Sequence, residues 1–506
     1  MTEQSFLEQQ GLVFDFSGKP LKNRPFSSSG LVRELAEFLK QGVPTHSCWC
    51  EDLAAALVGT MITRDRYILN SYGKLYGNIF VIYVGASGLS FKTVPLNKVV
   101  RPLLMRLTDA VNERLIRAKG LTVDQYKEMQ EEYKYMTPRE RSSKRGRELR
   151  RMLDALAEDL VDLYIPTTFT TEFMISHLSK HPWGMIPSDE YTQMFKGVSK
   201  KDYLSGVMEM LSRLYDCEVD KSGTISRGVE FPENTYVTFV SATTYYLLTL
   251  MTDDFFLQGT GNRILWIVDD EIEKVENVEE EILKGEFLWK VRDEEWFEER
   301  MNYFTQMLMR IRDLPAGVVT FDPTAGLLID AYRVEKYNQA ADHFLKDVLD
   351  KDANFIARLA QNAMKLSLIH CVGRYVMDDV YLFNGGRRRI EELIISEEDV
   401  RWAIELTEIH LEFYKRLKQI ASRVMATETR DYKVDQWKVY YWIDYYESKG
   451  LGLTRPRLRA HTGWSVDDTN KILTTMLMNQ QVKFVESTNK RGRKSVYITR
   501  GEHPTG

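Results

Sequence analysis

The chain of 506 residues carries 43% apolar and 28% charged side chains and a formal net charge of −5. That mix excludes a largely disordered chain, and the negative balance excludes a global basic field, so any contact with nucleic acid has to come from local patches. No run of about 18 apolar residues occurs and the opening MTEQSFLEQQ is unlike a signal peptide, so the expectation is a cytoplasmic protein of roughly three to four domains that does not enter a membrane.

The first 50 residues read as a helical extension, with Leu31, Leu35 and Phe38 at helical spacing. His46, Cys48 and Cys50 alternate with no second ligand pair downstream, a poor zinc pattern, so a buried thiol pair is the default. With four cysteines in all, a reducing compartment is expected. Glu51 to Thr63 predicts a buried helix.

The stretch Tyr76 to Thr93 follows. Ile79 to Val84 is an unbroken apolar run, Gly85 and Gly88 make a turn, and Lys92-Thr93 ends it. Strand, Gly/Ser loop and Lys-Thr are the parts of a phosphate-binding loop, in which backbone N–H groups, an ammonium and a hydroxyl on Mg²⁺ hold the phosphates. An ordinary strand-turn-helix joint has the same parts, and Ser90-Phe91 stands where Gly-Lys is usual. The helix predicted from Val94 to Ala118 accepts Pro95 in its first turn, while Pro102 predicts a kink. Residues 120 to 160 read as a charged helical insertion whose Arg139 to Arg151 part is strongly basic. It is either a solvated face or a nucleic-acid contact.

Leu160 to Thr168 looks strand-like, and a short strand from Trp183 ends in Asp189-Glu190. Residues 216 to 233 suggest a loop or hairpin with Lys221 and Arg227, either reaching into a ring pore or lying on the surface. Thr235 to Ala242 alternates with β-branched and aromatic residues and predicts a buried strand. Its end, Ser241 to Thr244, lies where open α/β sheets bind ligands. Gly259 and Gly261 then precede Arg263 and a last strand ending at Val268.

In this order and wording (Gly85, Ser87, Lys92, Thr93; Asp189-Glu190; the SATT of residues 241 to 244; the GTGNR of residues 259 to 263) the chain resembles a family of phosphate-loop ATPases of plasmids, viruses and integrated elements, often found beside a primase. The resemblance spans about residues 53 to 268 and, more loosely, 358 to 417. It implies an α/β core of the RecA/AAA+-like type over residues 51 to 270, with ATP and Mg²⁺ as cofactors. The nucleotide would lie on Gly85, Ser87, Gly88, Ser90, Lys92 and Thr93. Thr93 and Asp189 would hold the metal, Glu190 would activate water, and Thr243 or Thr244 would orient it. Arg263 would complete the site of a neighbour in a homo-hexameric ring. Arg358 and Lys365, seven apart and so on one helix face, would lie over the nucleotide as a lid sensor.

Residues 271 to 426 predict a helical lid or collar. It comprises an acidic connector to residue 300, three long helices, an arginine-rich turn at 384 to 389, and a helix opened by Ser396 and Asp399. Thr427 to Lys433 reads as a linker. Residues 434 to 500 give helix, helix, turn, helix and a hairpin, the pattern of a winged helix. Thr469, Asn470 and Lys471 would face DNA bases, and Lys490, Arg491, Arg493 and Lys494 would meet phosphates. The expected function is that of an ATP-dependent, helicase-like DNA motor of a mobile element. The alternatives are a non-motor ATP-binding initiator with a degenerate core, or a ring scaffold that recruits a primase or polymerase.

Overall fold

The run Ile79 to Val84 has no polar face, so as a strand it must be covered on both sides. In the computed structural model it lies in strand β1 (Phe80–Gly85), which is buried throughout. The strand is inside a parallel sheet with β2 (Trp183–Ser188), β3 (Tyr236–Thr243) and β4 (Ile264–Asp269), in the spatial order β2-β3-β1-β4. The structure describes residues 6–41, 43–71, 73–167, 171–191, 201–217, 234–245, 247–250, 259–271, 293–347, 350–377, 392–449, 451–462, 464–478, 482–488 and 494–500. The hairpin expected with Lys221 and Arg227, most of the acidic connector, the arginine-rich turn and the wing tip lie outside them.

The chain divides at Leu417/Lys418. In the first unit the helix Ser47–Ile62 is buried along its whole length and packs against β3 and against the helices Gly30–Lys40 and Lys351–Met377. The N-terminal extension and the collar therefore share one core with the sheet. All four cysteines are free and buried; burial raises the Cys48 thiol to about 12, against the pull of the Arg24 guanidinium beside it.

The loop after β1 opens a helix through Thr93–Pro95, a wide turn at Leu96–Val100, and Arg101–Ala118. Where Pro102 predicts a kink, the structure has that wide π turn just before it. Proline has no N–H to close an ordinary turn, and a π turn absorbs the missing bond. Leu160 to Thr168 departs from expectation: its described part makes only one parallel bridge, Tyr164 to Met185, beside β2. The Ser396/Asp399 box forms as read, with Asp399 Oδ2 accepting from Ser396 N at 2.7 Å.

In the second unit, the end of the helix Glu397–Ser448, the helices Arg455–Thr462 and Val466–Met478, and the antiparallel hairpin β5 (Val482–Thr488) and β6 (Lys494–Arg500) enclose a core. That core includes Val439, Ile443, Leu458, Leu473 and Ile498. Gly452 lies against the Tyr497 ring so closely that a Cβ there would fall 2.1 Å from a ring carbon. The linker expected at residues 427 to 433 is instead inside the helix Glu397–Ser448, because its polar residues include no Gly or Pro to stop a helix.

Candidate functional site

Register decides which residues meet. Val84 pairs with Thr243, Gly85 with Asp269, and Ser188 with Ser241. The carboxyl ends of all four strands therefore form one edge, carrying the Gly85 loop, Asp189-Glu190, Thr243 and Asp269. The chain leaving β1 passes over to β2, and the chain leaving β3 passes the other way to β4. Neighbouring strands that send their chains to opposite sides leave a crevice at their carboxyl ends, the usual ligand position in such sheets.

The loop itself is tight at its root and open at its tip. A Cβ on Gly85 would stand 2.8 Å from the Tyr83 ring and 2.9 Å from Ser90, so only glycine fits. Ser87 and Gly88 are exposed, and Gly88 has a φ of +78°. Ser90 is buried and its Oγ donates to Ala86 O at 2.8 Å. Phe91 has a φ of +48°, in the left-handed region that bulky residues avoid. That reversal takes up the extra residue in the loop and turns Lys92 back into it. Lys92 is 6% exposed, and its Nζ donates to Gly85 O at 2.8 Å. Trp49 Nε1 holds the Lys92 carbonyl from below at 2.9 Å. Burial pushes the Lys92 ammonium below its ordinary value, while Glu190 and then Asp269 push it back up. The residue stands at the start of a helix, where the helix dipole disfavours a cation.

On the acidic side, Thr243 Oγ1 donates to Glu190 Oε1 at 2.9 Å, which aims the carboxylate along the edge. Thr244, half-buried, is the next residue out. Asp189 Oδ1 lies 3.3 Å from Arg101 Nη2, and the same guanidinium donates to Pro187 O at 3.0 Å. A cation held by Thr93 and Asp189 would share that carboxylate with Arg101.

Three residues at this edge went unread in the sequence. Asp269 is buried and accepts from Tyr83 Oη at 2.7 Å and from Lys22 Nζ at 3.2 Å. Lys22 belongs to the N-terminal extension, and its own backbone N–H donates to Glu271 at 2.9 Å. The extension thus straps across the end of β4 beside the loop. The available signal was the Asp269-Asp270 pair closing an apolar strand. Arg101, one helical stretch beyond the loop, carried no local signal.

Three residues expected near nucleotide are elsewhere. Arg263 precedes β4, at the amino edge of the sheet, and is held by its own chain. Its Nη2 donates to Asp216 Oδ2 at 2.6 Å and its Nη1 to Gly259 O at 2.9 Å. The arginine expected to complete a neighbour's site is thus engaged within its own chain. Arg358 lies 3.7 Å from Asp216, and the buried Lys365 donates to Asn78 Oδ1 and Tyr215 O, both at 3.0 Å. Asn78 and Asp216 both belong to the amino edge, so the lid-sensor position is corrected too. Both cations turn toward the carboxyl end of the helix Lys201–Asp216, whose terminal carbonyls attract positive charge.

Ser29, His370 and Asp399 line up like a nucleophile, base and acid. His370 Nε2, however, already accepts the Ser29 backbone N–H at 2.9 Å, and its Nδ1 meets Asp399 at 2.6 Å. The lone pair a base would need serves the start of the helix Gly30–Lys40, so the trio is structural.

In the second unit Thr469 points inward: it is 1% exposed and its Oγ1 donates to Ser465 O at 2.8 Å. Its expected role in base contact is corrected. Asn470 accepts from Arg455 Nη1 at 3.3 Å, and Lys471 is exposed. Lys494 opens β6 opposite Thr488, while Lys490, Arg491 and Arg493 lie outside the described residues.

Comparison with protein-family models and with curated proteins returned no match. Among the described residues no helix is long and apolar enough to cross a membrane.

Proposed function

We propose that the chain is an ATP-dependent DNA motor, a helicase-like ATPase of a mobile genetic element with a C-terminal winged-helix DNA-binding domain. The observation that carries the reading is the carboxyl edge of the sheet, where a glycine-rooted loop with an inward lysine faces a threonine-held glutamate. Bound there, ATP with Mg²⁺ supplies the phosphoanhydride whose cleavage drives movement. Lys92 neutralises the outer phosphates together with the loop N–H groups of Ser87 and Gly88, the N–H of Ser90 being taken by Ala86 O at 3.4 Å. Thr93 and Asp189 supply oxygens for the metal. Glu190, held at Oε1 by Thr243, takes a proton from water. In the second unit, three helices and a hairpin around one core support the winged-helix reading, with Lys471 on the outer face.

One observation favours a second reading, an initiator that binds ATP without turning it over. Asp189 is engaged by Arg101, and Arg263 by Asp216, so a metal ligand and the ring arginine both have partners within the chain. Ring assembly then rests on the resemblance alone. DNA-stimulated phosphate release by the purified chain, with particle size measured in ATP and DNA, separates the readings. Turnover by a hexamer supports the motor, and binding without turnover supports the initiator.

A further inference from the structure

The basic insertion is a built arm. It leaves the C-terminal end of the loop helix and returns beside it, and its root is pinned. Asn112 Nδ2 donates to Val161 O and Asn112 Oδ1 accepts from Val161 N, both at 2.9 Å, while Thr108 Oγ1 accepts from Leu163 N at 3.1 Å. The arm holds three helices, Val123–Tyr135, Pro138–Arg141 and Lys144–Asp159, each with a side-chain cap, at Thr122, Thr137 and Ser143. An apolar cluster joins Ile116 of the loop helix to Tyr126 and Leu156 of the arm.

Its charge is segregated. Residues 139 to 151 hold seven cations against Glu140 and Glu148. Glu140 is spent on the Thr137 cap, so the excess is stronger than the count. In the helix Lys144–Asp159, Gly146, Leu149 and Leu156 are buried on one side. Lys144, Arg147 and Arg151, at i, i+3 and i+7, fall on the opposite side and are exposed. Arg145 and Arg150 flank that row and are paired, with Glu132 at 2.6 Å and Asp154 at 3.4 Å. The row itself runs about 10 Å at ~1.5 Å per residue, the rise of about three phosphates of one strand at ~3.4 Å each.

We propose that this arm is a second nucleic-acid contact, in which Lys144, Arg147 and Arg151, joined by exposed Arg139, lie along the sugar-phosphate backbone. The guanidinium groups of Arg139, Arg147 and Arg151 suit phosphate oxygens, which they bind in a forked, charge-assisted way, and Lys144 adds a point charge. Contacts to phosphate oxygens carry no sequence information, so a row laid along the backbone binds independently of sequence. The loop helix connects Lys92 at one end to the arm root at the other, so the arm is carried directly by the element that frames the candidate nucleotide site. The inference rests on the reading of DNA as the substrate.

The test uses the full chain and the variant R139Q/K144Q/R147Q/R151Q, whose four positions are all exposed. Affinity for a labelled 30-nucleotide single strand and its duplex is followed from 50 to 200 mM salt, with melting temperature as control. The expected result is an unchanged melting temperature, an affinity lowered at least tenfold at low salt, and a duplex salt slope shallower by about 3.6, from ~0.9 for each of four lost phosphate contacts. A variant that binds with the wild-type slope overturns the arm and leaves the DNA reading standing. A wild-type chain that binds no DNA overturns both. Polyglutamate that competes with DNA at equal charge concentration also overturns the proposal, because the arm would then be a site for an acidic protein.

Discussion

Lys92 Nζ donates to the carbonyl of Gly85 at 2.8 Å, so the two ends of the loop are closed on each other. The contact depends on Phe91, whose left-handed backbone absorbs the residue that the loop has in excess. A non-glycine residue in that region costs about 1–2 kcal/mol, and a β-branched one fits worst. Phe91→Gly should therefore stay within about 1 kcal/mol of wild type in stability, relief of strain offsetting lost ring packing. Phe91→Val should be the less stable by about 1–2 kcal/mol and should also weaken nucleotide binding. Urea melts of both variants check this; a valine variant at least as stable as the glycine one refutes the account of the loop.

Arg263 and Asp216 give a second test. Their side chains are 14% and 16% exposed, and the guanidinium meets one carboxylate oxygen with two nitrogens. Removing one partner from such a partly buried pair costs about 2–4 kcal/mol. Arg263→Ala should lower the melting temperature clearly, and Asp216→Ala should do nearly the same. An Arg263→Ala variant that melts like wild type but loses turnover would restore the arginine to a neighbour's site.

Lys365 makes stability depend on pH. Burial, the largest influence, pushes its ammonium down from 10.5 to about 8. In the unfolded chain it is protonated up to the ordinary lysine value, so between these limits the unfolded state binds more protons. Folding stability contributed by this group therefore rises with pH across that window. The difference in stability between wild type and Lys365→Met should grow in favour of wild type from pH 8 to pH 10, the range bounded by the folded and ordinary values. Chemical melts at several pH values read this directly, and a flat difference contradicts it.

In the second unit the inward Thr469 and the outward Lys471 should separate. Lys471→Glu should lower DNA affinity about tenfold, the size of ~1.4 kcal/mol. Thr469→Val should cost stability and leave affinity per folded molecule unchanged. Equal loss of affinity in both would mean that this helix does not face DNA as proposed.

What the sequence disclosed was what is encoded locally. Ile79 to Val84 is apolar without interruption, Tyr236 to Val240 is aromatic and β-branched, and Gly85 ends a strand, so β1, β3 and the loop could be read directly. Which edge a side chain reaches is decided by docking, and docking left no local mark. The seven-residue spacing of Arg358 and Lys365 correctly gave them one face, but nothing in it said that the face meets Asn78 and Asp216. Asp269 draws its partner Lys22 from 247 positions away, a pairing no local pattern announces. The polar residues 427 to 433 resembled a linker by composition, yet lacked the glycine or proline that would have ended the helix.

The central claim is that the loop around Lys92 holds the phosphates of ATP. Calorimetric titration of ATP with Mg²⁺ into the wild-type chain and into Lys92→Met tests it most directly. Losing charge-assisted hydrogen bonds worth about 2–3 kcal/mol should weaken binding about 30- to 150-fold. The melting temperature should not fall, because the variant also removes a buried charge. Wild-type chain that takes up no ATP, or a variant that binds it equally well, would contradict the account.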